Sequence, residues 1–288
     1  MDSKYSIIEF VGKGKFGEVF KGENRFTREV VAIKIEMNNQ SRLLKHETEM
    51  LHFLFKNGCV GIPLLYWFGL HNALPTMIMT YYDCPCTVET FSRNPSHYII
   101  QMISLIENIH KYGVIHRDIK PSNFMFRNGG DIIHLIDFGF STFYLDENGQ
   151  HKPNGLREDI IGTPQYISYF IHNGHEPSRR DDLISLGFVY LFLCFGFPNG
   201  NDTCDIQDTA NMHSREKIVY PEHHIKHPEM LKKREWKKLE CLAAFFAETD
   251  IFKYLQHCYS LQHDEKPHYS VLRRFFTEWT RIHSSVVA

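Results

Sequence analysis

The sequence predicts an α+β fold of two lobes, a small β-rich N-terminal lobe and a larger helical C-terminal lobe. Three observations predict it. The first 80 residues carry short apolar runs separated by turn residues, with one helix-period segment among them. After Tyr82 the apolar residues recur at helical spacing. No repeat or low-complexity linker divides the chain, so residues 1–288 read as a single domain, with residues 1–82 as the first lobe and its hinge and 83–288 as the second.

The elements follow in order. Residues 5–11, 18–21 and 29–35 read as strands, and Asn24-Arg25-Phe26-Thr27 as the turn between the last two. Residues 41–56 read as a helix, with Ser41 as N-cap and Gly58 just beyond its end. Short apolar runs at 62–70 and 76–81 suit two further strands. Ile99, Met102, Ile103, Ile106 and Ile109 share one helical face, and Gly113 closes that helix. Leu183 to Phe197 is a buried core helix, and residues 234–247 and 268–282 are amphipathic helices.

Composition excludes several classes. The chain is 43% hydrophobic, which permits a sizeable core and excludes global disorder. Its 32 basic and 34 acidic residues, with a net charge of −2, speak against a protein dedicated to coating nucleic acid. Met1-Asp2-Ser3-Lys4 is polar and lacks a signal-peptide apolar run, and the longest apolar stretch is too short to cross a bilayer comfortably. Seven scattered cysteines point to reduced thiols, hence cytosol or nucleus. Cys84-Pro85-Cys86 has no second pair at zinc-finger spacing.

Three strings then stand in one order: Gly12-Lys13-Gly14-Lys15-Phe16-Gly17, His116-Arg117-Asp118-Ile119-Lys120 and Asp137-Phe138-Gly139. With Val31-Ala32-Ile33-Lys34 between the first two, they compose a phosphoryl-transfer site. Gly-x-Gly-x-x-Gly alone also fits a dinucleotide-binding turn, and Glu36 even sits near the acidic position of that unit. However, Glu18-Val19-Phe20-Lys21 is strand-like, so this loop joins two antiparallel strands, where Gly12, Gly14 and Gly17 let the backbone approach phosphates. Lys34 can hold the α- and β-phosphates of ATP if a carboxylate, Glu47 or Glu49 on the next helix, positions it. Asp118 can accept a proton from an incoming hydroxyl and orient it, and Lys120 can neutralise charge on the transferred group. Asn123 and Asp137 offer the oxygen donors that Mg²⁺ prefers. His116 reads as a structural hydrogen-bonder, and Asp182 as a brace of the catalytic loop from the core helix.

These motifs resemble a eukaryotic-type protein kinase, and Lys120-Pro121-Ser122-Asn123 resembles its serine/threonine-specific pattern. Gly162-Thr163-Pro164-Gln165-Tyr166, the string Ser178-Arg179-Arg180-Asp181-Asp182-Leu183 and Asp264-Glu265-Lys266-Pro267-His268-Tyr269-Ser270 resemble the casein kinase I family over nearly the whole chain. Like that family, the chain lacks Ala-Pro-Glu after the activation segment and has Ile167-Ser168-Tyr169 there. The resemblance implies ATP-dependent, Mg²⁺-dependent phosphorylation of protein serine or threonine, often near acidic or phosphorylated residues. Alignment on Val60-Gly61-Ile62-Pro63 places the partner of Lys34 at Glu49, with Glu47 as the fallback. It also implies Met79 behind the adenine, Tyr82 bonding it through the hinge backbone, and Val19, Ala32 and Met125 sandwiching it.

The resemblance assigns Arg179 to a pocket for substrate anions, but the surroundings depart from the family. Arg157-Glu158-Asp159-Ile160 stands where basic residues are usual, Gln165 replaces an arginine, and Lys217 aligns poorly. Weaker dependence on a primed substrate is the expectation. A chain ending soon after its last helix, without a restraining tail, carries the expectation of constitutive activity; Ser141, Thr142 and Tyr144 are candidates for modification, with plain loop exposure as the alternative. The alternative to a kinase is a kinase-shaped binding module, which the intact set Lys34, Asp118, Lys120, Asn123 and Asp137 disfavours. Lys232-Lys233-Arg234-Glu235-Trp236-Lys237-Lys238 reads first as a solvated helix face, and His223, His224 and His227 as surface histidines.

Overall fold

The computed structural model describes residues 4–14, 17–37, 42–127, 129–196 and 233–284, with side chains through 277. The first lobe is a five-stranded antiparallel sheet and one helix: β1 (Tyr5–Gly14), β2 (Gly17–Asn24), β3 (Val30–Ile35), α1 (Leu43–Lys56), β4 (Leu65–His71) and β5 (Leu74–Thr80). The spatial order is β1-β2-β3-β5-β4. Gly14 pairs with Gly17 at the end of the first hairpin, so the glycine loop joins two antiparallel strands and does not lead into a helix. The predicted N-cap, Ser41, lies outside the described residues; Gly58 follows α1 with φ 84°, the left-handed stop that glycine adopts without a Cβ penalty.

Strand periodicity sorts β3 into two jobs. Val31, Ile33 and Ile35 pack with Tyr5 and Ile78 on one face of the sheet. Ala32 and Lys34 point the other way, level with Met79 and Met77 on β5, towards the core that α1 shares with the second lobe. Val19 and Lys21 on β2 pair with Lys34 and Ala32, so they share that face. The single charged side chain of β3 is therefore carried to the buried side of the sheet by alternation alone.

The second lobe contains β6 (Cys84–Pro85), α2 (Val88–Ser92), α3 (Pro95–Lys111), β7 (Val114–Ile115), β8 (Phe124–Phe126), β9 (Ile133–Leu135), β10 (Thr142–Phe143), α4 (Tyr169–His172), α5 (Arg179–Phe195), α6 (Leu239–Phe246), α7 (Asp250–Ser260) and α8 (Tyr269–Ser284). The predicted face of α3 is the one it buries, with Ile99, Met102, Ile103, Ile106 and Ile109 all in the core. Each contributes about 1.5–3 kcal/mol by leaving water. α5 is buried on nearly every side, and Gly187 lets α7 approach it: a Cβ there would meet Leu255 Cδ2 at 2.4 Å. Its apolar sequence reflects this burial; among the described residues no helix is long and apolar enough to cross a membrane. The predicted helix over 234–247 is interrupted, because residue 237 turns into the core before α6 begins at Leu239.

Candidate active site

Lys34 is buried between the lobes. Its Nζ lies 2.6 Å from Glu47 Oε2 and 3.3 Å from Asp137 Oδ1. Burial alone would lower its pKa, but the two carboxylates outweigh burial and raise it, so the ammonium is fixed in its charged form. The expected partner Glu49 is a correction. Glu47 shares the buried face of α1 with Leu44, Thr48 and Leu51, whereas Glu49 lies two residues on, about 200° around the helix. Glu49 is exposed and pairs with Lys45 across one turn at 3.7 Å. Glu47→Gln is accordingly expected to lower kcat/KM for phosphate transfer by about 10–100-fold, since breaking one partner of a buried pair is costly. Glu49→Gln changes it less than twofold. Parallel steady-state kinetics on the two variants check this, and equal losses would reject the assignment.

The catalytic loop is held from behind. After β7 the chain turns at Arg117, a non-glycine residue at φ 68°. Asp182, near the start of α5, accepts from the His116 amide at 2.7 Å, the Arg117 amide at 2.9 Å and His110 Nε2 at 3.0 Å. The brace expected of Asp182 is what the geometry provides. His116 Nε2 donates to the Ile136 carbonyl at 3.0 Å, so this imidazole is a structural tie between the two motifs. Arg117 Nε donates to the Phe140 carbonyl at 2.5 Å, and burial followed by the nearby Arg157 pulls its pKa down to about 10.

This places Asp118, only 3% exposed, with one carboxylate oxygen 2.7 Å from Thr163 Oγ1 and the other 3.1 Å from Lys120 Nζ. Asn123 ends the 3₁₀ turn Pro121–Asn123, and its Nδ2 donates to the Asp118 carbonyl at 2.8 Å. That bond fixes which side of the amide is nitrogen and turns Oδ1 away from the loop backbone. The Ile136 amide donates to the Asn123 carbonyl at 2.9 Å, tying the turn to the residue before Asp137. Asp137 itself has φ 66°, and the next ring, Phe138, is fully buried against His116 with centroids 5.1 Å apart. For the Asp137 carboxyl, burial acts upwards, but Lys34 and Lys120 outweigh it and hold the pKa below the ordinary carboxylate range. Asp118, Lys120, Asn123, Asp137 and Lys34 are thus brought together as their motifs foretold.

On the cleft face above, Val19, Ala32 and Met79 share the side of the sheet that carries Lys34. From the other lobe comes Met125 on β8, which pairs with Pro85 just after the connection between the lobes. Tyr82 lies in that connection, its ring 4.7 Å from His134. Gly17 has φ 133°, and a Cβ there would meet the Ile35 carbonyl oxygen at 2.0 Å, so the fold itself demands glycine. Among the described residues, chain neighbours aside, a Cβ at Gly12 or Gly14 would meet no atom within 4 Å.

Arg179, assigned by resemblance to the anion pocket, is the first residue of α5. It is 9% exposed, its guanidinium lies 4.6 Å from the Tyr144 ring centroid, and it donates to the Asp264 carbonyl at 2.5 Å. These contacts fasten α5 to the segment before α8. Lys217, the other candidate there, lies outside the described residues, as do His223, His224 and His227. Sequence reasoning also gave Thr163 no role; a hydroxyl 45 residues from Asp118 carries no local signal of the bond it makes.

A sheet lobe over a helical lobe, with these groups in the cleft, defines a protein kinase. Residues 5–267 match the protein kinase domain family, and the chain belongs to it. Within it the chain is casein kinase I-like: it is 30% identical over 294 residues to casein kinase I homolog 2 of Schizosaccharomyces pombe. The match covers 96% of this chain and 62% of that relative, so the chain spans less than two thirds of the relative's length.

Proposed function

We propose that the chain is an ATP- and Mg²⁺-dependent serine/threonine protein kinase acting on protein hydroxyls in acidic contexts, and that it is constitutively active. The observation that carries the reading is the buried bridge from Glu47 through Lys34 to Asp137, set beside an Asp118 held by Lys120 and Thr163. The serine/threonine preference and the acidic context rest on the resemblance to casein kinase I.

The residues fit the nucleotide and its metal. Among the described residues no packing accounts for Gly12 and Gly14, and close approach of the nucleotide's phosphates to the loop backbone would account for them. Asn123 and Asp137 are oxygen donors of the kind Mg²⁺ takes, few in number because phosphates and water complete its shell. Among the described residues no cluster of three or more His, Cys, Asp or Glu could hold a metal by protein groups alone. Bound there, the metal–nucleotide would supply the phosphoryl group and neutralise its developing charge. The chain's own contributions follow from position. Lys34 holds the phosphates, Val19, Ala32, Met79 and Met125 enclose the base, and the Tyr82 backbone fixes its edge. Asp118 orients the attacking hydroxyl and receives its proton, while Lys120 offsets charge on the group in transit.

Constitutive activity accords with an activation segment tethered by protein groups. Tyr144 Oη donates to the His110 carbonyl at 2.8 Å, and bridges join Leu145 to His151 and Leu156 to His175. A cytosolic or nuclear site belongs to the same reading, since the described cysteines are free thiols. The test is transfer from labelled ATP to casein by phosphatase-treated protein with Mg²⁺, followed by phosphoamino-acid analysis. Label on serine or threonine supports the reading. A folded, ATP-binding protein that transfers nothing overturns it.

Weak dependence on priming is part of the proposal. Arg157 Nη1 lies 3.3 Å from Glu176 Oε1, so the cation of the segment where basic residues are usual in the family is already paired. With Glu158 and Asp159 beside it, a phosphate on the substrate gains little there. Primed and unprimed forms of one peptide are expected to differ less than about threefold in kcat/KM, under 1 kcal/mol. A preference of a hundredfold for the primed form would refute this.

A further inference from the structure

Lys237 lies within the most basic run of the chain, yet it is 1% exposed. Its Nζ bonds the carbonyl oxygens of Pro164 at 2.9 Å and Ile167 at 2.6 Å, and lies 3.1 Å from His172 Nε2. The Phe188 ring of α5 closes the site, 4.9 Å from Nζ to its centroid. Among the described residues no carboxylate pairs with it. Such burial is costly for an ammonium, and burial followed by Lys233 pulls its pKa well down.

The carbonyls it binds belong to one compact turn. The amides of Tyr166 and Ile167 both donate to the Thr163 carbonyl, at 2.9 and 3.1 Å. The near end of that turn is Thr163, whose hydroxyl bonds Asp118 at 2.7 Å. Gly162 packs so closely on the catalytic loop that a Cβ would meet the Arg117 carbonyl oxygen at 2.5 Å. The far end is Ser168, whose hydroxyl bonds Asp181 in the capping box of α5. Between these two ends the outward carbonyls at 164 and 167 are gathered by one amine.

We propose that Lys237 is a positioning residue for protein substrate: by holding the turn over residues 163–167 from behind, it sets the surface on which the acceptor segment lies against Asp118. This rests on the kinase reading above and adds a residue that touches neither nucleotide nor hydroxyl. Because Lys237 binds the turn and no group that holds ATP, its loss separates two activities. Peptide phosphorylation needs the turn as a surface for the acceptor segment, whereas slow hydrolysis of ATP by water needs no such surface, and Asp118 keeps Lys120 at 3.1 Å when the turn loosens.

The experiment compares wild type, Lys237→Met and Lys237→Arg for nucleotide binding, intrinsic ATP hydrolysis, and kcat/KM with a casein-derived peptide. For Lys237→Met the ratio of peptide kcat/KM to ATP hydrolysis is expected to fall at least tenfold, through peptide KM, with nucleotide affinity unchanged. Lys237→Arg, whose planar fork keeps donors but alters their directions, is expected to recover part of the ratio. If Lys237→Met does not fold, Lys237→Arg decides alone: a ratio lowered at least threefold supports the proposal. An unchanged ratio, or equal loss of both activities in a folded variant, overturns it and leaves Lys237 a stabilising anchor only. Wild type that hydrolyses ATP but labels no peptide rejects the kinase reading itself, before any variant is compared.

Discussion

Asp137→Asn is expected to reduce phosphate transfer by on the order of 10³-fold at saturating ATP and Mg²⁺, with the fold intact. Two roles are lost at once. The carboxylate is the proposed metal ligand, and it is also the second counter-ion of Lys34, 3.3 Å away. An amide keeps one oxygen but carries no charge, so it binds a hard cation weakly and no longer balances a buried ammonium. Folding should tolerate the change for a specific reason. Residue 137 has φ 66°, in the left-handed region, where Asn is among the few residues admitted readily. Lys34 also keeps Glu47 at 2.6 Å. The measurement is kcat alongside thermal unfolding of the same preparation. Activity above about one tenth of wild type would move the metal ligand elsewhere and undo the proposed mechanism.

The same pair of residues shows what the sequence reveals and what it conceals. Asp137, Asp118, Asn123 and Lys34 are legible because motif spacing fixes short, rigid stretches of backbone. The choice between Glu47 and Glu49 turned on an alignment through α1, where a shift of two residues changes the helix face. Helical phase settles it: Leu44, Thr48 and Leu51 define the buried stripe, and Glu47 lies three residues after the first and four before the last. That signal was present but outweighed. Arg179 differs in kind. Its partner is a backbone carbonyl at Asp264, 85 residues away, and a carbonyl has no sequence identity to read. Lys237 was hidden by its neighbours, since a lysine amid Lys233, Arg234 and Lys238 reads as solvated surface. The core strands and α3 were readable because burial there repeats at the period of the element. The polar ties between distant segments obey no period.

Those ties converge on Asp182, and Asp182→Asn is expected to destabilise the protein by about 3–5 kcal/mol and lower Tm by about 10 °C. The carboxylate takes three donors: the amides of His116 and Arg117 on its two oxygens, and His110 Nε2. Asparagine offers one acceptor oxygen and turns an NH₂ towards a backbone N–H, leaving one buried amide unsatisfied and a second group repelled. The effect reaches catalysis through Arg117, whose φ of 68° persists only while its amide is held. Relaxation there moves Asp118, the adjacent residue, and kcat should fall by about 10–100-fold even well below Tm. The pH dependence has a definite sign. Burial raises the Asp182 pKa, but the bond from His110 and the further positive and amide groups outweigh it and depress the folded value. Its stabilisation is therefore complete above the unfolded value of about 3.9 and lost only as pH falls through the depressed folded one. Wild type and variant should thus differ in stability throughout the neutral range and converge only in strong acid. A constant gap down to pH 2 would refute the depressed folded pKa, and a Tm change under about 2 °C at pH 7 would show that the catalytic loop keeps its strained turn without the α5 carboxylate.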